Sequence, residues 1–291
     1  MTDRATALAG AAILFASISV NLGAAIAKGL FPQIGPEGVA ALRSLIAAPV
    51  LLALFRPWRS PVTAGQWRWL VLYGAALGVM NLLIYWAFER IPIGLAVTIE
   101  IAGPLSVVLL TSRTTRDFLW LALAVGGLLL LVPWQPSAHA LDPVGIACAL
   151  GAALCWALYI VLGRRAAQVR GSSAVAIGMC VACVVTLPFG IAGAGAKLFG
   201  PALPAAAAVA LLSSALPYLL EITALERVSS RVFGALTSCA PAIAALMGWL
   251  VLGEELRPLQ GLAVVLMIAA SAGCSLAARP AVPKATEAIP N

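Results

Sequence analysis

Ten apolar windows, each about as long as a bilayer core is thick, leave this chain little freedom outside a membrane. They run over residues 5–27, 38–55, 69–88, 91–112, 118–134, 143–163, 174–192, 205–225, 232–253 and 258–278. A helix needs roughly 20 mostly apolar residues to cross the hydrocarbon, where the backbone must satisfy its own hydrogen bonds. The connections between windows are too short to hold a soluble domain. Composition agrees: 62% of residues are hydrophobic and 10% charged, against roughly 25% charged in soluble domains. The expected class is an all-α membrane protein, one integral domain over 1–291 with ten transmembrane helices. The first window is too long for a secretion-signal core and lacks a basic start, so it is expected to stay as the first helix.

A block within the chain occurs twice. Ala87-Phe88-Glu89-Arg90 with Pro104 returns as Ala224-Leu225-Glu226-Arg227 with Pro241, each with a 17-residue gap and displaced by 137 residues. The same offset pairs Lys28 with Arg165, Asp117 with Glu254 and Asn81 with Tyr218. Two five-helix halves are therefore expected, 5–134 and 143–278, followed by a tail at 279–291. Five spans is odd, so the second half enters from the opposite side. Inverted five-helix repeats around a central cavity are the expected arrangement, and paired broken helices point to an alternating-access site. With the N-terminus inside, 13 Lys and Arg residues fall on the inner face; four (Lys28, Arg90, Lys197, Arg257) fall on the outer face. Inner loops carry the basic excess, so both termini and the tail are expected in the cytoplasm. The net charge of +7 then reports orientation, not nucleic acid. Trp58, Trp67, Trp69, Trp86, Trp120 and Trp134 fall at span ends, as an interfacial belt would place them.

Charge inside hydrocarbon asks for a reason, because an ionisable group there costs roughly 2.5–3.5 kcal/mol on insertion scales. Arg43, Glu100 and Glu221 sit inside windows. Glu221 lies near an inner end, where it can reach water or Arg227. For Arg43 and Glu100 two readings stand open. They form an ion pair locking the second and fourth helices, or Glu100 binds substrate or a proton while Arg43 guides a carboxylate or tunes the acid.

Prolines add uncharged ligands. Pro104, Pro217 and Pro241 have no N–H for the carbonyl four residues earlier, which frees those of Glu100, Ser213 and Thr237. Free carbonyls survive in a membrane only against protein or a wet cavity. The three prolines are thus gating or kink positions beside a cavity, or plain kinks covered by neighbouring helices. Polar and aromatic residues recur near these breaks: Asn21; Asn81 and Tyr85; Trp156 and Tyr159; Ser214, Tyr218 and Glu221. Trp156 sits well inside a span, which favours packing or cavity lining over belt anchoring. An aromatic stripe alone fits a core as well as a binding box.

Several classes fall away. Cys180-x-x-Cys183 suggests a metal or redox site, but the one histidine, His139, lies in an outer loop and no second pair follows. The cysteines read as small buried hydrophobes, and no metal or cofactor is expected. A membrane histidine, an aspartate dyad and a nucleophile with a base at helical spacing are all missing, which argues against an intramembrane enzyme. Without a Walker A sequence, transport would be secondary or facilitative. Ala122-x-x-x-Gly126 and Ala269-x-x-x-Gly273 serve internal packing or a homodimer face. One cation, one or two acids, open carbonyls and aromatic faces suit a small zwitterion better than a nucleotide sugar or a cationic drug.

The chain resembles the EamA-type transporters of the drug/metabolite transporter superfamily over essentially its whole length. The resemblance rests on Gly38-Val39-Ala40-Ala41-Leu42-Arg43, the stretch from Pro92 through Glu100 to Pro104, and that from Ala147 through Trp156 to Tyr159. It continues in Ala215-Leu216-Pro217-Tyr218-Leu219-Leu220-Glu221 and Gly253-Glu254-Glu255. These motifs look most like the branch exporting threonine and homoserine, with aromatic amino-acid exporters nearby. The resemblance implies ten helices in inverted repeats, export from the cytoplasm across a bacterial inner membrane, and amino-acid substrates, with protons as an optional coupling ion. Drug or other metabolite export on the same scaffold is the alternative. The resemblance makes Arg43, Glu100, Trp156, Tyr159, Tyr218 and Glu221 cavity residues, and Thr237, whose carbonyl Pro241 frees, is a candidate beside them. Many relatives carry an acid just before that proline, where this chain has Ala240. A two-carboxylate coupling scheme is therefore not implied here.

Overall fold

Glycine and proline decide where the apolar windows break. The computed structural model describes residues 2–59, 62–111, 115–131, 142–170, 173–217, 220 and 238–277, and the regular structure among them is helical. α1 (Thr2–Phe55) covers the first two windows and is interrupted at Gly35, with φ 68° and ψ 165°. Glycine has no Cβ to oppose that conformation, and the following Pro36 disfavours helix at position 35. After a 3-10 turn at Pro57–Arg59 come α2 (Ala64–Arg90), α3 (Ile93–Glu100), α4 (Ala102–Thr111), α5 (Thr115–Leu131), α6 (Pro143–Arg170) and α7 (Ser173–Ala194). A 3-10 turn (Gly195–Phe199), α8 (Leu203–Ala210), a π turn (Leu211–Ala215), α9 (Ala240–Leu252) and α10 (Pro258–Ala277) complete the described chain. Among the described residues, four helical spans are long and apolar enough to cross a membrane: Gly10–Phe55, Gly65–Arg90, Pro143–Ala166 and Ser173–Phe199.

Each proline of interest acts in its own way. Pro104 is the third residue of α4, and the window 91–112 breaks at Ile101, one turn upstream, between α3 and α4. Without an N–H at 104 the helix cannot close on the Glu100 carbonyl. Pro241 is the second residue of α9, where a missing N–H removes no helical bond. The repeated block from Ala224 to Arg227 lies outside the described residues. Before Pro217 the chain widens into the π turn, in which the Leu216 N–H donates to the Leu211 carbonyl five residues back. At α6 Asp142 accepts the Val144 N–H at 2.8 Å ahead of Pro143, an N-cap followed by a first-turn proline. That bond and the Arg90 guanidinium at 3.1 Å hold the Asp142 carboxyl below the usual carboxylate range.

Close backbone approaches then set the packing. α2 lies against α6 and α7, α1 against α7, α8 and α9, and α5 against α10. A Cβ on Gly74 would stand 2.6 Å from the Gly178 carbonyl oxygen, and one on Gly78 would stand 3.0 Å from the Ala182 Cα. This glycine pair, four residues apart, lets α2 sit on α7. Gly94 gives the same access between α3 and Ala245 of α9, 2.6 Å from such a Cβ. Gly273 of α10 packs on the Trp120 ring of α5, whereas Gly126 faces open space. Of the two small-residue motifs, then, Gly273 is spent on internal packing. α6 turns Leu150, Leu154, Leu158 and Val161 outward, with Leu154 64% exposed, a face suited to acyl chains.

The tryptophans divide. Trp58 and Trp67 are 65% and 45% exposed, as interfacial anchors should be. Trp86 Nε1–H donates to Glu37 Oε1 at 2.6 Å. Trp69 stands between the Arg68 and Arg165 guanidinium groups, 4.9 and 4.7 Å from its ring centroid. Trp134 lies outside the described residues.

Candidate functional site

Residues far apart in the chain line one small cavity of about 170 Å³, mostly apolar in surface but with several polar groups. α1 supplies Asn21 and Arg43, α2 supplies Asn81 and Tyr85, α3 ends in it with Glu100, α6 brings Trp156, and the π turn brings Ser213. Val20, Ala24, Met80, Ile84 and Phe88 complete the wall. Glu100 is 9% exposed, and Pro217 and Pro241 are buried in protein. A larger crevice of about 690 Å³ runs past Leu52, Trp58, Trp67, Val71 and Val184. Its lining is almost wholly apolar, so it suits acyl chains and not a polar solute.

Arg43 organises one wall. Its Nη2–H donates to the Ser213 carbonyl at 3.0 Å, its Nε–H to Ser214 Oγ at 3.2 Å, and its Nη1–H to the Tyr85 hydroxyl at 3.4 Å. The guanidinium carbon stands 5.8 Å from the Tyr85 ring centroid. The Ser213 carbonyl is the one that Pro217 leaves without its helical donor, so the orphan acceptor meets a charged donor. Ser19 Oγ–H takes the neighbouring Leu212 carbonyl at 2.7 Å. The two sides of Gly35 in α1 thus hold the π turn together. The sequence exposes the acceptor; a donor 170 residues away leaves no local signal.

Among the described residues the ion pairs are Lys28–Glu254 and Arg90–Asp142. The helix-locking Arg43–Glu100 pair is not one of them, although both residues line the same cavity. Asn21 Nδ2 donates to Ser17 O at 2.8 Å. Asn81 Nδ2 and Ser213 Oγ are buried and have no hydrogen-bond partner among the described residues. Ser214 stands behind the wall as an Arg43 acceptor. Tyr159 goes elsewhere. It stacks on Tyr73 with ring centroids 4.6 Å apart and hydroxyls at 2.8 Å. Tyr218, Glu221 and Thr237 lie outside the described residues.

A second polar cluster, missed by sequence reading as a contact, joins α1, the start of α3 and the turn after α9. Lys28 Nζ meets Glu254 Oε1 at 2.6 Å and donates to the Ile91 carbonyl at 3.0 Å. The other Glu254 oxygen accepts the Ile93 N–H at 2.9 Å, which places an anion at the N-terminus of α3. Gly253, at φ 67°, makes the left-handed turn that ends α9 and delivers Glu254.

The model of the EamA-like transporter family matches residues 143–276. The threonine/homoserine exporter RhtA of Escherichia coli (strain K12) is 45% identical over 268 residues, 92% of this chain and 91% of that protein. The chain belongs to the EamA-like transporter family. The RhtA protein of Salmonella typhimurium (strain LT2) is 44% identical over the same shares of both chains. A solved crystal structure with 18% identity matches at a TM-score of 0.62, covering 94% of this chain and 96% of that one. At that identity it shows a shared fold. The protein is thus an EamA-like integral membrane transporter, with helices as the regular structure among its described residues.

Proposed function

We propose that the chain exports small zwitterionic amino acids, threonine- or homoserine-like, from the cytoplasm to the outside of a bacterial inner membrane. One observation carries this. Arg43 and Glu100, a cation and an acid, line the same small cavity, so a carboxylate and an ammonium can each find a counter-charge. An engineered cavity of ~150 Å³ admits a benzene, while drug-sized sites run roughly 300–1,000 Å³. A cavity near 170 Å³ suits a small amino acid over an aromatic one or a drug. The near-full-length likeness to threonine/homoserine exporters supports the same substrate.

In this reading the ten windows are ten spans in two inverted repeats, both termini are cytoplasmic, and the cavity is reached alternately from each side. Lys28 belongs to the first half and Glu254 to the second, so their cluster is an outer clasp. The 137-residue offset assigns Arg165 and Asp117 to the matching inner position. Tyr218, Glu221 and Thr237 belong to the same path, with Pro104, Pro217 and Pro241 as its bending points. Glu100 is the residue through which protons would couple. The working unit is a monomer or a homodimer. A solute-flux assay in proteoliposomes with threonine, homoserine, phenylalanine and a lipophilic cation tests this. Threonine and homoserine should move; flux confined to the cation overturns the proposal.

A further inference from the structure

Two residues of the cavity wall each carry a buried polar atom with no work in the scheme just given. Asn81 is 2% exposed and Ser213 5%, and neither Asn81 Nδ2 nor Ser213 Oγ has a hydrogen-bond partner among the described residues. Native proteins seldom leave buried side-chain polar atoms unsatisfied, and such exceptions ask for a cause. The neighbouring polar groups differ. Asn21 Nδ2 is bonded within its own helix, and Tyr85 and the Ser213 carbonyl are bonded by Arg43. The ionic ends of a zwitterion have Arg43 and Glu100 to meet.

We infer that Asn81 Nδ2 and Ser213 Oγ form a hydroxyl-reading subsite, which makes the transporter selective for amino acids carrying a side-chain hydroxyl. The chemistry is complementary: an amide N–H donates to the substrate oxygen, and the substrate O–H donates to the serine oxygen. An aliphatic analogue of the same shape would leave both atoms buried without partners when bound. Sites built to bond a substrate hydroxyl therefore reject the analogue that lacks it, far more strongly than an apolar pocket rejects one missing methylene. The inference rests on the amino-acid export reading.

The test uses the full-length protein in proteoliposomes, with counterflow of labelled threonine against unlabelled competitors. Threonine is compared with valine, and homoserine with norvaline, since each pair exchanges a hydroxyl for a methyl group. Threonine and homoserine should compete at least roughly tenfold better than their partners, in keeping with a hydrogen-bonding site. Asn81→Leu should collapse both ratios towards one by weakening the hydroxylated member of each pair. Ser213→Ala carries the same expectation, and serves if Asn81→Leu fails to insert. Valine competing as well as threonine in the unmodified protein, or variants with unchanged ratios, overturns the inference and leaves amino-acid export standing. Absence of threonine flux in the unmodified protein removes the export reading and this inference with it.

Discussion

Arg43 spans more than a point charge can. Its guanidinium reaches Tyr85 on α2 and two successive residues of the π turn, so its role depends on a planar fork with several donors. We predict that Arg43→Lys inserts normally but loses about tenfold or more of its threonine flux, because an ammonium cannot serve all three acceptors. Flux within twofold of the unmodified protein would contradict that reading. Gly23 faces the Ser213 hydroxyl so closely that any side chain there must displace that hydroxyl or the π turn that carries it. Gly23→Ala should lower stability by about 1–3 kcal/mol, the usual cost of overpacking. Thermal unfolding in detergent reads this directly, and an unchanged midpoint would refute it. Arg43 and Glu100 were legible in the sequence because a charge in an apolar window is costly and demands a partner. Tyr159 read the same way as Tyr85, yet it packs on Tyr73. An aromatic ring in a span is cheap in either place, so sequence cannot separate the two.

Breaks in helices were legible as positions but not as shapes. Pro104 announces an interruption, and α3 and α4 part at Ile101. Pro217 announces an orphan carbonyl, and the chain answers with a π turn upstream. The form of each break depends on what is packed beside it: Ser19 and Arg43 at the π turn, Ala153 against Gly103 at the start of α4. The Lys28–Glu254 clasp depends on three elements at once, α1, the start of α3 and the turn after α9. Sequence spacing alone gave each residue a counterpart under the repeat and gave neither its contact. We predict that Lys28→Ala loosens this end of the molecule. In a chain freed of native cysteines, Ile91→Cys should react with a membrane-impermeant thiol reagent from outside several-fold faster when Lys28 is also replaced. Equal labelling rates with and without Lys28 would remove the clasp from the mechanism.

At the scale of the whole molecule, glycine contacts bring the elements together and polar contacts define the space between them. Gly74 and Gly78 seat α2 on α7, Gly94 seats α3 on α9, and Gly273 seats α10 on α5. The leucine face of α6 points outward, while Glu100 and Arg43 face a shared cavity. Apolar length made the membrane class plain from the first reading; the pairing of helices was not, because a bilayer gives no hydrophobic reason for one apolar face to prefer another. The central claim is that this cavity carries the amino acid and that Glu100 is indispensable to it. Counterflow of labelled threonine into proteoliposomes, run on the unmodified protein and on Glu100→Gln at matched insertion, tests it most directly. Accumulation by the first and none by the second is the predicted result; equal accumulation by both would contradict it.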